Sequence, residues 1–385
     1  MKISILGKIH RILLGKYYPR SSRFIHLMKG KIKWIFPAFG FLLKNHSKKE
    51  KRIFLIWDFQ TSPYSIGDLM TLHVMAQILR LTKKINKVDI CFVYNPKNPA
   101  RDDAQGITPD NFYTYFPQLV SIAYLNPHIG NFFIFDSHND LENFISNNIE
   151  RYYIWPNFKQ YISKQYAFLD LFDFIQKFYI DNGFIPHLDY RPNSLNWAYS
   201  FYKKNVFPKF PIVMHLRNNP ADKNYRNAKL NEWLKFLKKA NKKFSNIKFI
   251  LIGAKGEIDN RFRHLPNVII AKDYKTTVEQ DLILAATSSM YIGSASGPNS
   301  VVLFSKKPYN FFSHRNDGGT VPFNNRHYSF ATENQILNWK PETEKDIMEQ
   351  FSDAFSKIDK NKWKKEIEKT ASNKKAFDSK LKWAE

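Results

Sequence analysis

The chain has 385 residues, 43% hydrophobic and 24% charged, so it holds enough apolar content for cores in two or three domains and does not have the composition of a disordered chain. Lys and Arg number 59 against 34 Asp and Glu, a net charge of +25, and there is one cysteine, Cys91. A single cysteine excludes an internal disulfide framework and any CxxC zinc or thiol-redox motif, and the longest strongly apolar run, residues 34–43, contains Pro37 and is too short to span a bilayer as a helix.

Residues 1–51 read as a basic arm. Through residue 52 there are 14 Lys or Arg and one acidic residue, Glu50, interleaved with Ile, Leu, Tyr, Trp and Phe. No small-residue cleavage site follows an apolar core there, so the stretch does not read as a secretory signal. Mixed basic and apolar segments of this kind suit an anionic membrane surface, and they also suit a solvated arm packed on a core. Nucleic acid is disfavoured as a partner, because no zinc-finger, RNP or helix-turn-helix signature accompanies the charge.

After the arm, the apolar run Ile53–Trp57 predicts a buried strand, and the spacing of Leu69, Leu72, Met75, Ala76 and Leu79 predicts a helix over 69–81. Residues 88–94 predict a second strand, so the globular part opens strand–helix–strand, the pattern of a parallel sheet with a crossover helix. Further strands are expected at 132–135 and 152–155. Helices are expected at 138–148, 158–181 and 194–204, the last capped by Asn193-Ser194 after Pro192. The second half alternates more clearly. Strands are expected at 211–216, 247–252, 268–271, 290–293 and 308–312, with helices at 228–243, 278–287 and 298–305. That alternation predicts a doubly wound α/β domain. The expected division is arm 1–51, first domain 52–207, second domain 208–330 and an amphipathic helical tail 331–385. From residue 357 onward, ten Lys interleave with five acidic residues in that tail.

Ligands of open α/β sheets bind at the carboxyl ends of strands, near helix N-termini, and that rule selects a few loops. Gly67-Asp68 follows the first strand; Gly67 permits a tight turn, and Asp68 fits either a helix cap or a general base toward a hydroxyl. Gly293-Ser294-Ala295-Ser296-Gly297-Pro298-Asn299 ends a strand and opens a helix with proline at its first position, a place for a phosphate or a ligand-free tight turn. His215 and Arg217 end another strand, with Lys223 and Arg226 in the loop beyond. The three cations are candidates to neutralise a phosphorylated donor, or they are surface charge. Gly253 ends a strand in a glycine loop without GxGxxG spacing. There is no GxxxxGK[ST], HExxH, GxSxG or Asp-x-Asp motif, and no histidine pair has metal-ligand spacing, so no metal site and no resident cofactor are expected.

In these residues the chain resembles glycosyltransferases of the GT-B architecture, two Rossmann-like doubly wound domains facing a cleft, and among them the bacterial lipopolysaccharide heptosyltransferases. The resemblance rests on Gly67-Asp68-Leu69-Met70-Thr71-Leu72 at a helix head and on Gly293-Ser294-Ala295-Ser296-Gly297-Pro298 at a strand-to-helix turn. Ala295 stands where that family usually has Asp, and Asn299-Ser300 where it usually has Met-His. His215-x-Arg217 is similar to the His-x-Arg segment of bacterial fucosyltransferases, with Asn218 in place of the second arginine.

The resemblance implies a metal-independent, inverting transferase that moves a sugar from a nucleotide-activated donor to a hydroxyl of a cell-surface glycan or lipid-linked acceptor. Asp68 would be the catalytic base. His215, Arg217, Lys223, Arg226, Lys272, Ser296, Gly297, Pro298 and Asn299 would bind the donor, with Gly67, Gly253 and Gly293 shaping the turns. Such an enzyme would work in the cytoplasm, peripheral on the inner face of the cell membrane, in lipopolysaccharide or capsule synthesis. Sialyl-, Kdo- or pyruvyl-transfer on the same scaffold, and a non-enzymatic membrane-peripheral scaffold, are the competing readings.

Overall fold

The computed structural model describes residues 51–95, 97, 107–157, 170–219, 227–312, 323–324, 327–338 and 342–372. Residues 1–50 of the basic arm therefore lie outside the described residues, as do Lys223, Arg226 and the stretch 158–169 expected to begin a helix.

The chain forms two compact units that do not follow it as contiguous halves. The first comprises residues up to Tyr64, Leu79–Ala123 and His128–Ala167. The second comprises Ser65–Ile78, Tyr124–Pro127 and Phe168 onward.

The first unit is built on four parallel strands: β1 (Arg52–Asp58), β2 (Val88–Val93), β3 (Ile129–Phe135) and β4 (Tyr152–Trp155), in the order β3-β2-β1-β4. β1 and β2 are buried at every position, as near-continuous apolar runs covered on both faces must be. Helix α1 (Ile66–Lys83) follows β1 in the chain, its residues through Ile78 belonging to the second unit, and α2 (Phe112–Tyr124) and α3 (His138–Asn148) precede and follow β3. Phe54, Phe133, Phe144 and Tyr152 pack ring on ring over one face, with centroids 4.9–6.1 Å apart. At the amino ends of the strands, the buried Asp89 carboxylate pairs with Arg52 and accepts from the Asn131 backbone at 2.9 Å, its side chain at 3.0 Å and the Tyr152 hydroxyl at 3.2 Å. One charge thus ties all four strands together. At the carboxyl edge, buried Asp58 holds Nε2 of His138 at 2.8 Å.

The second unit is built on six parallel strands: β5 (Phe210–His215), β6 (Ile247–Ile252), β7 (Val268–Ile270), β8 (Met290–Ser294), β9 (Tyr309–Phe312) and β12 (Gln335–Leu337), in the order β12-β9-β8-β5-β6-β7. A two-stranded ribbon, β10 (Phe323–Asn324) and β11 (His327–Tyr328), pairs separately and meets β12, where His327 Nδ1 lies 2.7 Å from the Gln335 carbonyl. The helices are α4 (Asp170–Asn182), α5 (Pro192–Asn205), α6 (Leu230–Lys243), α7 (Val278–Thr287), α8 (Ser300–Leu303), α9 (Glu344–Ser356) and α10 (Lys360–Ser372). Trp233, Phe236, Phe249, Phe351 and Phe355 form the centre of one core face. Full burial of each such side chain contributes on the order of 1.5–3 kcal/mol.

Both sheets meet the α/β expectation, with three local differences. Helix α2 has Pro117 inside it, and that proline masked the buried Phe112, Phe116, Leu119 and Val120 stripe in the sequence. The stretch expected as a tail after residue 330 supplies the edge strand β12 and the core helix α9. Helix α5 begins at Pro192 with Arg191 as its cap residue, so Ser194 caps nothing; its hydroxyl donates to Glu279 at 2.6 Å.

Candidate functional site

In the six-stranded sheet the chain runs β5, β6, β7 toward one edge, then returns to place β8 against the other side of β5. The switch point therefore lies between the carboxyl ends of β5 and β8, where open α/β sheets bind ligands. His215 ends β5 and Ser294 ends β8.

His215 is buried between two glycines. A Cβ on Gly293 would lie 2.2 Å from the His215 carbonyl oxygen, so only glycine lets β8 approach β5 there. On the other side Gly253, at φ +135°, brings the end of β6 against the imidazole. The His215 Nδ1 lies 2.8 Å from Ser296 Oγ, and its Nε2 lies 3.7 Å from Glu257 Oε2.

The turn after β8 is tied internally. Asn299 Nδ2 donates to the Ser294 carbonyl at 2.9 Å, and Asn299 Oδ1 accepts from the buried Tyr291 hydroxyl at 2.7 Å. The Asn299 backbone N–H donates to the Ser296 carbonyl at 3.0 Å, and Pro298 has none. That leaves the Ser296 and Gly297 N–H groups as the turn's candidate donors to a ligand.

Gly67, the second residue of α1, packs against this turn. A Cβ on Gly67 would meet the Gly297 Cα at 3.2 Å and Ser300 Oγ at 3.1 Å, and a Cβ on Gly297 would meet the Gly67 nitrogen at 3.2 Å. Both residues fall within the second unit. Helix α1 starts at Ile66, so Asp68 occupies its first turn and not its cap; Leu69 N–H bonds the Ser65 carbonyl at 3.2 Å. The Asp68 side chain is half-buried beside Gly67. The N-terminal end of an 18-residue helix, with Asp68 in its first turn, thus packs at Gly67 against the glycine turn.

Arg217 is half-buried just beyond β5, and its charge reaches Glu257. Burial alone would raise the Glu257 carboxyl pKa, but His215, the Ala254 backbone N–H and Arg217 together bring it below the ordinary range. Glu257 therefore stays ionised. The loop that follows Arg217 is closed at its base by a reciprocal pair: Asn219 N–H to Asn227 Oδ1 at 3.0 Å and Asn227 Nδ2 to the Asn219 carbonyl at 2.9 Å.

Lys272 turns its ammonium to Asp281 at 2.8 Å and to the Thr276 carbonyl at 2.7 Å. Asp281 also accepts from Thr276 Oγ1 at 2.5 Å and from the Gly253 N–H at 3.4 Å. Burial raises the Asp281 pKa against those partners. Lys272 thereby fastens the loop after β7 to the end of β6.

The structure thus gathers Gly67, His215, Gly253, Gly293, Ser296, Gly297 and Asn299 at one switch point, with Asp68 and Arg217 beside them. Sequence reasoning missed Glu257. The GAKGE segment offered a signal, a carboxylate four residues past a strand-end glycine. A recess of about 320 Å³ beside β7, lined by Asn205, Lys248, Arg263, Asp273 and Tyr274, holds none of the expected residues. Among the described residues, no three His, Cys, Asp or Glu side chains gather as a metal site.

No protein-family model and no curated protein matches the chain. Solved structures do. The chain is similar to the ADP-heptose lipopolysaccharide heptosyltransferase II of E. coli, at 12% identity and a TM-score of 0.49 over 79% of this chain and 98% of that one. It is similar to a glycosyl transferase family 9 protein from Veillonella parvula, at 12% identity and a TM-score of 0.45 over 80% and 90%. It is also similar to the E. coli heptosyltransferase WaaC with ADP, at 11% identity and a TM-score of 0.42 over 80% and 99%.

Proposed function

We propose that this chain is a glycosyltransferase that moves a sugar from a nucleoside-diphosphate donor to a hydroxyl acceptor, without a metal or resident cofactor and with inversion at the anomeric carbon. The observation that supports the reading is the packing of Gly67 against Gly297 at the β5/β8 switch point. That contact packs the first turn of α1, which carries Asp68, against the turn after β8, and the reading takes the Asp68 carboxylate as the base there.

In this reading the leaving diphosphate lies over the Ser296 and Gly297 amides, with Arg217 adding positive charge. Charge that grows on the leaving group as the glycosidic bond breaks is then met by donors already in place, which lowers the barrier more than it tightens ground-state binding. Asp68 takes the proton of the acceptor hydroxyl as that oxygen attacks the anomeric carbon. The acceptor is a surface glycan or a lipid-linked sugar. The basic arm would keep the enzyme at an anionic membrane surface in the cytoplasm, a reading that rests on its composition. No helix among the described residues is long and apolar enough to cross a membrane.

Asp68→Asn tests the assignment. Loss of the base should lower kcat by about 10²–10⁴-fold, the usual contribution of a positioned general base, with donor affinity within about threefold of the native value. Full turnover by the variant, measured as release of the nucleoside diphosphate, would remove Asp68 from the base role.

A further inference from the structure

Edge strand β7 pairs with β6 alone, and the recess of about 320 Å³ lies against all three of its residues. That volume falls at the small end of ligand pockets, about 300–1,000 Å³. Lys248 alternates along β6 with Ile247 and Phe249, which pack under α6, so it faces the other side of the sheet, where α5 ends at Asn205. Its ammonium donates to the Pro266 carbonyl at 2.6 Å and has two further protons to give. Burial and the charge of nearby Lys209 both lower the Lys248 pKa, and neither lysine meets a carboxylate among the described residues. Arg263 also lines the recess, but it is bound to Asp273, the one acidic residue of the lining, and to Asn260 Oδ1 at 3.1 Å. The unbalanced charge therefore belongs to lysines: Lys209 and Lys248, with exposed Lys204 just before Asn205 and exposed Lys275 just after Tyr274. Tyr274 is itself 50% exposed, its ring edge-on to Phe201 with centroids 5.4 Å apart. An anion held here would offset the repulsion between Lys209 and Lys248, and the phenol ring beside it has the amphipathic character of side chains at a membrane–water interface.

We infer that the β7 edge of the second unit is a docking surface for an anionic lipid bilayer, with the recess taking one phosphodiester headgroup. A membrane is the source of that phosphate because the same chain carries, through residue 52, 14 Lys or Arg interleaved with apolar residues, a composition suited to the same surface. Docked by this edge, the unit keeps its β5/β8 switch point clear, since β6 separates β5 from β7. Lipid binding is read without turnover, so its absence would leave the glycosyltransferase reading standing.

The full-length protein should co-sediment with vesicles of equal parts phosphatidylglycerol and phosphatidylcholine and not with phosphatidylcholine alone; failure to bind the anionic vesicles would overturn the proposal. Lys209→Gln with Lys248→Gln should lower the partition coefficient about 30-fold, the equivalent of about 1 kcal/mol for each lysine near an anionic surface. Lys238→Gln with Lys345→Gln removes the same charge from exposed positions on α6 and α9, on the other face of the sheet, and should lower it less than about threefold. Equal losses in the two pairs would assign the binding to net charge, and no loss in either would assign it to the basic arm; both contradict docking by the β7 edge. Position 274 supplies a second readout. Cys91 is the chain's one cysteine and is fully buried, so a polarity-sensitive fluorophore on Tyr274→Cys marks a single site. Its emission should shift to the blue on anionic vesicles, and the same label on Lys345→Cys should not shift; equal or reversed shifts would contradict the orientation. If millimolar inorganic phosphate raises the melting temperature of the native protein but not of the Lys209→Gln, Lys248→Gln pair, while neither binds vesicles, the recess takes a soluble anion and the lipid assignment fails.

Discussion

Replacing His73 by leucine should stabilise the protein, and increasingly so in acid. His73 lies on α1 five residues past Asp68, 1% exposed, and neither ring nitrogen has a hydrogen-bond partner among the described residues. The gap beside it, lined by Met70, Leu125, Asn126, Leu188, Asp189 and Tyr190, has no room for a water. Burial lowers the pKa of the imidazole from 6.5 to about 3. The unfolded chain thus binds a proton below pH 6.5 that the folded chain refuses until about pH 3. Stability contributed at neutral pH is lost as pH falls through that window. At about 1.4 kcal/mol per unit, the loss from this residue is about 2 kcal/mol by pH 5, and it levels off near 5 kcal/mol below pH 3. Leucine has no proton to bind and leaves no unpartnered nitrogen, so the variant should also gain about 1–3 kcal/mol at pH 7.5. Urea unfolding followed by tryptophan fluorescence at pH 7.5, 6 and 5 measures both effects. All other groups titrate alike in the two proteins, so the difference between them isolates His73. A difference constant within about 0.5 kcal/mol from pH 7.5 to 5 would refute the reasoning.

Gly293→Ala should cost about 1–3 kcal/mol by forcing β5 and β8 apart at the His215 carbonyl, and it should weaken nucleotide binding with it; an unchanged melting temperature would deny the close approach. Asp89→Leu leaves the Arg52 guanidinium buried without its carboxylate and should cost about 3–5 kcal/mol, read from the urea midpoint. A cost below about 1 kcal/mol would mean the pair holds the four strands less than its burial implies.

The strands were legible because parallel strands covered on both faces must be continuous apolar runs, as in Ile53–Trp57 and Ile247–Ile252. The glycine–proline turn and the Gly-Asp helix head were legible because both are local backbone requirements. Helix α2 was hidden because Pro117 interrupts its pattern, and β12 because three residues, Gln335–Leu337, carry no periodicity. Within the site, the sequence offered Lys272 and Asn299 as ligand-facing groups, but their side-chain atoms are engaged by Asp281, Thr276, Ser294 and Tyr291. Partners supplied from other strands and loops are not encoded in local spacing. Glu257 escaped for the same reason: its meaning comes from His215, 42 residues earlier, brought beside it by the β5–β6 pairing.

The most direct measurement is the melting temperature of the full-length protein against a panel of nucleoside-diphosphate sugars with ADP, GDP, UDP and CDP leaving groups. A donor present at a hundred times its Kd stabilises the fold by about 2.7 kcal/mol, and the account predicts such a shift for at least one member. No shift for any member at millimolar concentration would contradict the donor site at the β5/β8 switch point.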